Sequence, residues 1–153
     1  VTELRVEEHL ERSEEHYKIG KVLAESNHEW TAVALFYSAY HLVRHGLRTD
    51  PIFDDEQALL RIDPELEQHH RNITRHRGRR RSVEREWGMI ELALLLYRPV
   101  VGKYDRLHQL SVEVRYGRGR SLPSCSAMLG YCDEVRQFHK AGQFQARLHV
   151  EKS

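Results

Sequence analysis

Apolar and aromatic residues in this chain return at intervals of three and four, the period of a helix with one buried face, and no stretch keeps the strict alternation of a half-buried strand. Leu4, Leu10, Tyr17, Leu23 and Ala24 predict a first helix that Thr2 can cap, with glutamates early and lysines late as the helix macrodipole favours. After a break at Asn27 or His28, the stripe Trp30, Val33, Ala34, Phe36, Tyr37, Tyr40 and Leu47 predicts a central core helix. Asp50-Pro51 ends it, because proline lacks an N–H and disfavours the helical region for the residue before it. A connector with a short helical turn follows. Asp63-Pro64-Glu65 then reads as a restart, with a capping carboxylate, a proline and an acid, and predicts a third helix that Gly78 terminates.

From Glu84 to about Tyr116 the residues Met89, Ile90, Leu92, Leu94, Leu95, Leu96, Val100, Val101, Leu107 and Leu110 predict one long buried helix, kinked at Pro99. Gly117, Gly119 and Pro123 mark a loop, and Ser124 caps a last helix through Met128, Leu129, Tyr131, Val135 and Phe138. The reading is therefore an all-α bundle of about five helices, one domain over 1–141, with 142–153 as a flexible tail. A chain of 153 residues suits a single core.

Composition changes this picture little. Hydrophobic residues make up 40% and charged residues 31%, a globular balance, and a net charge of +1 selects no partner. Cys125 and Cys132 fall seven apart on one expected helix, a rise of about 10.5 Å, too far for a disulfide between them. No apolar run approaches a membrane span, and the glutamate-rich start is no signal peptide, so a cytoplasmic protein is expected.

The candidate chemistry lies in Arg71-Asn72-Ile73-Thr74-Arg75-His76. Arg followed five positions later by His is expected roughly 1.4 times by chance in so Arg- and His-rich a chain, about 0.02 times once Asn must follow the Arg, and roughly 0.2 times if Asp or His is also accepted there. On a helix, Asn72 and His76 share a face, where the amide can orient the imidazole. Arg71 and His76 would stand about 140° apart, meeting only through a bent helix end, the long arginine or a second subunit. Converging on a phosphodiester, His76 would move protons near neutrality and Arg71 would offset the charge of the phosphorane. RNA supplies its own nucleophile in the 2′-hydroxyl, so such a site needs no metal or cofactor and leaves a 2′,3′-cyclic phosphate. Arg75, Arg77, Arg79, Arg80 and Arg81 surround the motif, with Arg85 beyond, as a candidate RNA-backbone patch.

With Arg71-Asn72 and His76 in place, the chain resembles the HEPN superfamily of small helical bundles, whose ribonuclease members carry Arg, a polar residue often Asn, three variable positions and His. The core-helix text Phe36-Tyr37-Ser38-Ala39-Tyr40-His41-Leu42 and the pair Leu110-Ser111 with Val114-Arg115-Tyr116 are similar to HEPN relatives as well. The resemblance spans about residues 29 to 117. It implies a HEPN-like bundle, a homodimer with two motifs facing one cleft, and a metal-independent endoribonuclease with Arg71, Asn72 and His76 catalytic and Arg115 and Tyr116 supporting the cleft. It equally implies an alternative: a catalytically silent bundle binding a nucleotide or a protein partner, such as an antitoxin or a nucleotidyltransferase, in a toxin–antitoxin or defence module. A third reading takes His41 and His45, four apart on the core helix, as a two-histidine metal site with His69 and His70 adding ligands.

Overall fold

The computed structural model describes residues 4–78, 86–117 and 121–150. Among them the architecture is all-α: α1 (Val6–Glu25), α2 (Thr31–Thr49), α3 (Glu56–Ile62), α4 (Met89–Leu96), α5 (Arg98–Tyr116), α6 (Cys125–Lys140) and α7 (Arg147–Val150), with 3-10 helices at Pro51–Asp54 and Gln68–Asn72. No described helix is long and apolar enough to cross a membrane. Both cysteines are free and buried.

α2 is the central element, packing against α1, α5 and α6. Its apolar residues lie on almost every face, from Ala32 through Leu35, Phe36, Ala39 and Val43 to Leu47, as a helix surrounded by others requires. α1 folds back on it through a turn in which Asn27 has φ of 54°, a left-handed conformation that asparagine tolerates better than most residues. Two serines lock the antiparallel pair: Ser13 Oγ donates to the Ser38 carbonyl at 2.8 Å and Ser38 Oγ to the Ser13 carbonyl at 2.9 Å. Thr2, the expected cap of α1, lies outside the described residues. Ser124 caps α6 as expected, accepting from the Ala127 amide at 3.1 Å.

Three expectations are corrected. The long helix over 84–116 is two helices that share one junction residue, Tyr97, with φ −132° and ψ 48°. Pro99 sits in the first turn of α5, where a missing N–H costs nothing, so the chain breaks two residues ahead of it instead of bending around it. The third helix expected from Asp63 does not form. Asp63 closes α3, and its Oδ1 accepts from the Glu65 amide at 2.9 Å, so the Asp-Pro-Glu signal makes a turn.

Nor are residues 142–150 a free tail. Phe144 and Ala146 are buried, and Phe144 lies so close to α2 that a Cβ on Gly46 would come within 2.5 Å of its Cγ. The anchor is Asp50, 1% exposed. Its Oδ1 accepts from the Ile52 amide at 2.9 Å, and its Oδ2 accepts from the Tyr97 hydroxyl at 2.7 Å and the Ala146 amide at 2.8 Å. One carboxylate thus joins the end of α2, the α4–α5 junction and the C-terminal segment. Burial raises its pKa while these donors pull the other way.

Candidate functional site

The motif segment is held by an arginine buried in α2. Arg44, 1% exposed, donates through Nη1 to the carbonyls of Ile73 at 2.6 Å and Arg71 at 3.2 Å. A guanidinium taken out of water needs acceptors. These two carbonyls supply them because the 3-10 helix ends at Asn72 and Ile73 is extended, with φ −63° and ψ 134°. Beyond it the chain runs alongside the start of α4: the Met89 amide donates to the Arg75 carbonyl at 2.9 Å and the Ile90 amide to the His76 carbonyl at 3.0 Å. Gly78 closes this stretch, its amide donating to Glu91 Oε1, and a Cβ there would collide with the Glu86 carbonyl oxygen. Gly78 is therefore a close-approach position and not the end of a helix.

This path separates the expected catalytic pair. Arg71 turns toward the first 3-10 helix, donating from Nη1 to Asp54 Oδ1 at 2.7 Å and from Nη2 to the Asp50 carbonyl at 3.0 Å, with its guanidinium 5.5 Å from the centre of the Phe53 ring. The His76 ring points to the middle of the bundle, its centroid 5.1 Å from Phe36, 5.2 Å from Tyr40 and 5.1 Å from His108. Asp50 follows Tyr40 by ten residues, about 15 Å along α2. Arg71 and His76 of the same chain therefore serve different places. Asn72 is exposed and, among the described residues, makes no side-chain hydrogen bond, so it does not orient His76. Arg75 pairs with Glu86 at 3.2 Å and Arg77 pairs with Asp105. Arg79, Arg80 and Arg81 lie outside the described residues.

What gathers around His76 is a different set. Arg115 reaches the cluster from the last turn of α5, and its positive charge lowers the pKa of both His76 and His108. Its own bonds are weak for a guanidinium: Nε donates to the Ser111 carbonyl at 3.3 Å and Nη1 to the Tyr37 hydroxyl at 3.4 Å. It makes no ion pair among the described residues, unlike Arg71, Arg75 and Arg77. Tyr116 beside it is 70% exposed, with the Arg115 guanidinium 5.6 Å from the centre of its ring.

Burial is the first cause that lowers the pKa of both imidazoles; it pushes His108 down to about 4, helped by the charges of His76 and Arg77. Both are neutral at pH 7. Among the described residues no hydrogen-bond partner meets His76 Nδ1, His108 Nδ1 or the Tyr104 hydroxyl, all buried. The cluster thus presents one guanidinium without a carboxylate and two uncharged rings that can each donate or accept, a combination suited to an anion. The sequence did hold a signal for His108: it precedes Arg115 by seven residues, two helical turns, on the same face of α5. Arg44 carried no such signal.

The third reading, a metal site of His41 with His45, is also rearranged. His41 Nδ1 lies 3.0 Å from His9 Nδ1 and its ring stacks on His16 at 5.6 Å, whereas His45 Nδ1 faces His139 Nε2 at 3.0 Å. His69 and His70 stay with Glu67, the three offering ligand atoms within 4.8 Å of one another.

No family model matches this sequence, and comparison with curated proteins and with solved structures finds no match.

Proposed function

We propose that the chain is a HEPN-like bundle that binds a phosphate-bearing ligand, a nucleotide or a stretch of RNA, at His76, His108 and Arg115 without cleaving it. The observation that supports this is Arg115, a half-buried guanidinium with no carboxylate partner among the described residues, set beside two neutral imidazoles. Arg71 has meanwhile been diverted to Asp54 and the Asp50 carbonyl, which removes from His76 the phosphorane-stabilising group that the motif would supply.

The test is binding of labelled nucleotides and RNA in EDTA, with the RNA recovered and its ends analysed. Arg115→Ala should weaken binding by about ten- to a hundredfold, the worth of a charge-assisted hydrogen bond. Arg71→Ala should leave affinity unchanged, and the RNA should be recovered intact. Equal affinity in Arg115→Ala would remove the proposal.

A second reading, the metal-independent endoribonuclease, draws support from the nearness of Arg115 to His76. Here Arg115 takes the role first expected of Arg71: His76 removes the 2′-hydroxyl proton, the 2′-oxygen attacks phosphorus, Arg115 stabilises the phosphorane, and the P–O5′ bond breaks as the 5′-oxygen takes the proton from His76 and leaves as the 5′-hydroxyl. The same experiment separates the two, since this reading requires 2′,3′-cyclic phosphate ends from the wild type and none from His76→Ala. A homodimer, or an antitoxin or nucleotidyltransferase partner, is the expectation that the HEPN resemblance attaches to either reading; light scattering of the purified chain measures the first of these.

A further inference from the structure

The pairing of His45 with His139 has no part in the reading above, and it sits in a different part of the bundle. His45 lies one turn before the end of α2, and His139 in the last turn of α6. Both half-buried rings line a cleft of about 430 Å³, together with Thr49, Gly142, Phe144 and Gln145. His45 Nδ1 and His139 Nε2 face each other at 3.0 Å, with the rings edge to face, 5.0 Å between centroids. We propose that this pair is a binding site for a borderline divalent cation of the zinc class, joining α2 to the end of α6.

Two features of the geometry carry the inference. Two imidazole nitrogens bound to one tetrahedral zinc at about 2.0–2.1 Å stand about 3.3 Å apart. The pair therefore has to open by only a few tenths of an ångström. The scaffold also brings the rings from two different helices, His45 from α2 and His139 from α6, and the His139 ring leans on Phe144 at 5.9 Å between centroids.

In the metal-free protein one contact nitrogen carries a proton and the other accepts it. On binding, that ring moves its proton to its outer nitrogen, both lone pairs turn to the cation, and no proton is lost. Water from the open cleft completes the shell, with Gln145 at hand: its Nε2 is committed to the Gly142 carbonyl at 2.9 Å, leaving the oxygen end of the amide as an acceptor. Imidazole donors select zinc, nickel or copper over magnesium or calcium. The Glu67, His69 and His70 group is the poorer candidate, because His70 Nδ1 accepts the Glu67 amide at 3.0 Å, which fixes its proton on Nε2.

Zinc chloride titrated calorimetrically into the EDTA-stripped full chain should reveal one saturable site in the micromolar range or tighter, with magnesium giving none. Affinity should fall at least about tenfold in both His45→Ala and His139→Ala and hold in His69→Ala. In the unaltered protein, zinc should shift the ring ¹⁵N resonances of His45 and His139 together. No saturable site, a site that survives both substitutions, a site lost in His69→Ala, or ring resonances that stay in place would each overturn the proposal.

Discussion

Lowering the pH from 7 to 5 should destabilise this bundle far more than its surface charges would, and the cause is two histidines buried as neutral rings. His41, 8% exposed, is pushed down to about 3, first by burial and then by the neighbouring charges of His9, His16, Arg12 and Arg44. His108, 9% exposed, is pushed down to about 4. In the unfolded chain both titrate near 6.5. A depressed folded value means that the unfolded state takes up the proton first, so the stability each group lends is complete above pH 6.5 and is lost as pH falls toward the folded value. Over that window each histidine costs about 1.4 kcal/mol per pH unit. By pH 5 the loss is roughly 2 kcal/mol each, about 4 kcal/mol together, against a typical total of ~5–15 kcal/mol. His16, His45, His70, His76 and His139, also lowered by burial, add in the same direction, while the raised carboxyl of Asp50 opposes them. Urea unfolding followed by circular dichroism at several pH values measures the slope, and His41→Gln or His108→Gln should each flatten it by about one proton. A loss below about 1 kcal/mol between pH 7 and 5, or slopes unchanged in both variants, would refute the reasoning.

The C-terminal segment offers a second test: Phe144→Ala should cost about 3–5 kcal/mol, as for a core aromatic, in the same unfolding measurement. Conversely Gly46→Ala, which forces a methyl against Phe144, should cost about 1–3 kcal/mol by overpacking. Tyr97→Phe removes one donor from the buried Asp50 carboxylate and should cost about 1–3 kcal/mol, with a drop in urea midpoint and no change in m-value. Asp54→Asn removes only the exposed partner of Arg71, its side chain 70% accessible, and leaves the bond to the Asp50 carbonyl in place, so the stability change should stay within about 1 kcal/mol by the same assay.

The elements legible in the sequence are those whose stripe is long and whose ends carry local signals. α2 and α6 follow their apolar periodicity, and Ser124 caps α6 through a bond only three residues long. The motif segment was not legible because its conformation is decided from a distance. Residues 65–78 offer little for a helix to bury beyond Leu66 and Ile73, and Arg44, nearly thirty residues upstream, takes the carbonyls that helix bonds would have used. Asp50 misled in a similar way: with Pro51 it reads as a helix stop, which it is, yet its carboxylate answers to Tyr97 and Ala146, partners no local window contains. His76 was found by motif spacing and Arg115 by resemblance. Their nearness, and the loss of Arg71 to Asp54, are facts of the tertiary path.

The three-way junction at Asp50 also imposes an order on folding during synthesis. A ribosome releases α2 and its carboxylate long before Ala146, so on the nascent chain this buried acid lacks one of its three donors until the last described helix is being made. Until then Phe144 is missing from its place against Gly46, and the end of the central helix stays open to water. The bundle can dock its early helices as they emerge, but the end of α2 is sealed only by sequence translated almost a hundred residues later, and until then its apolar surface stays uncovered.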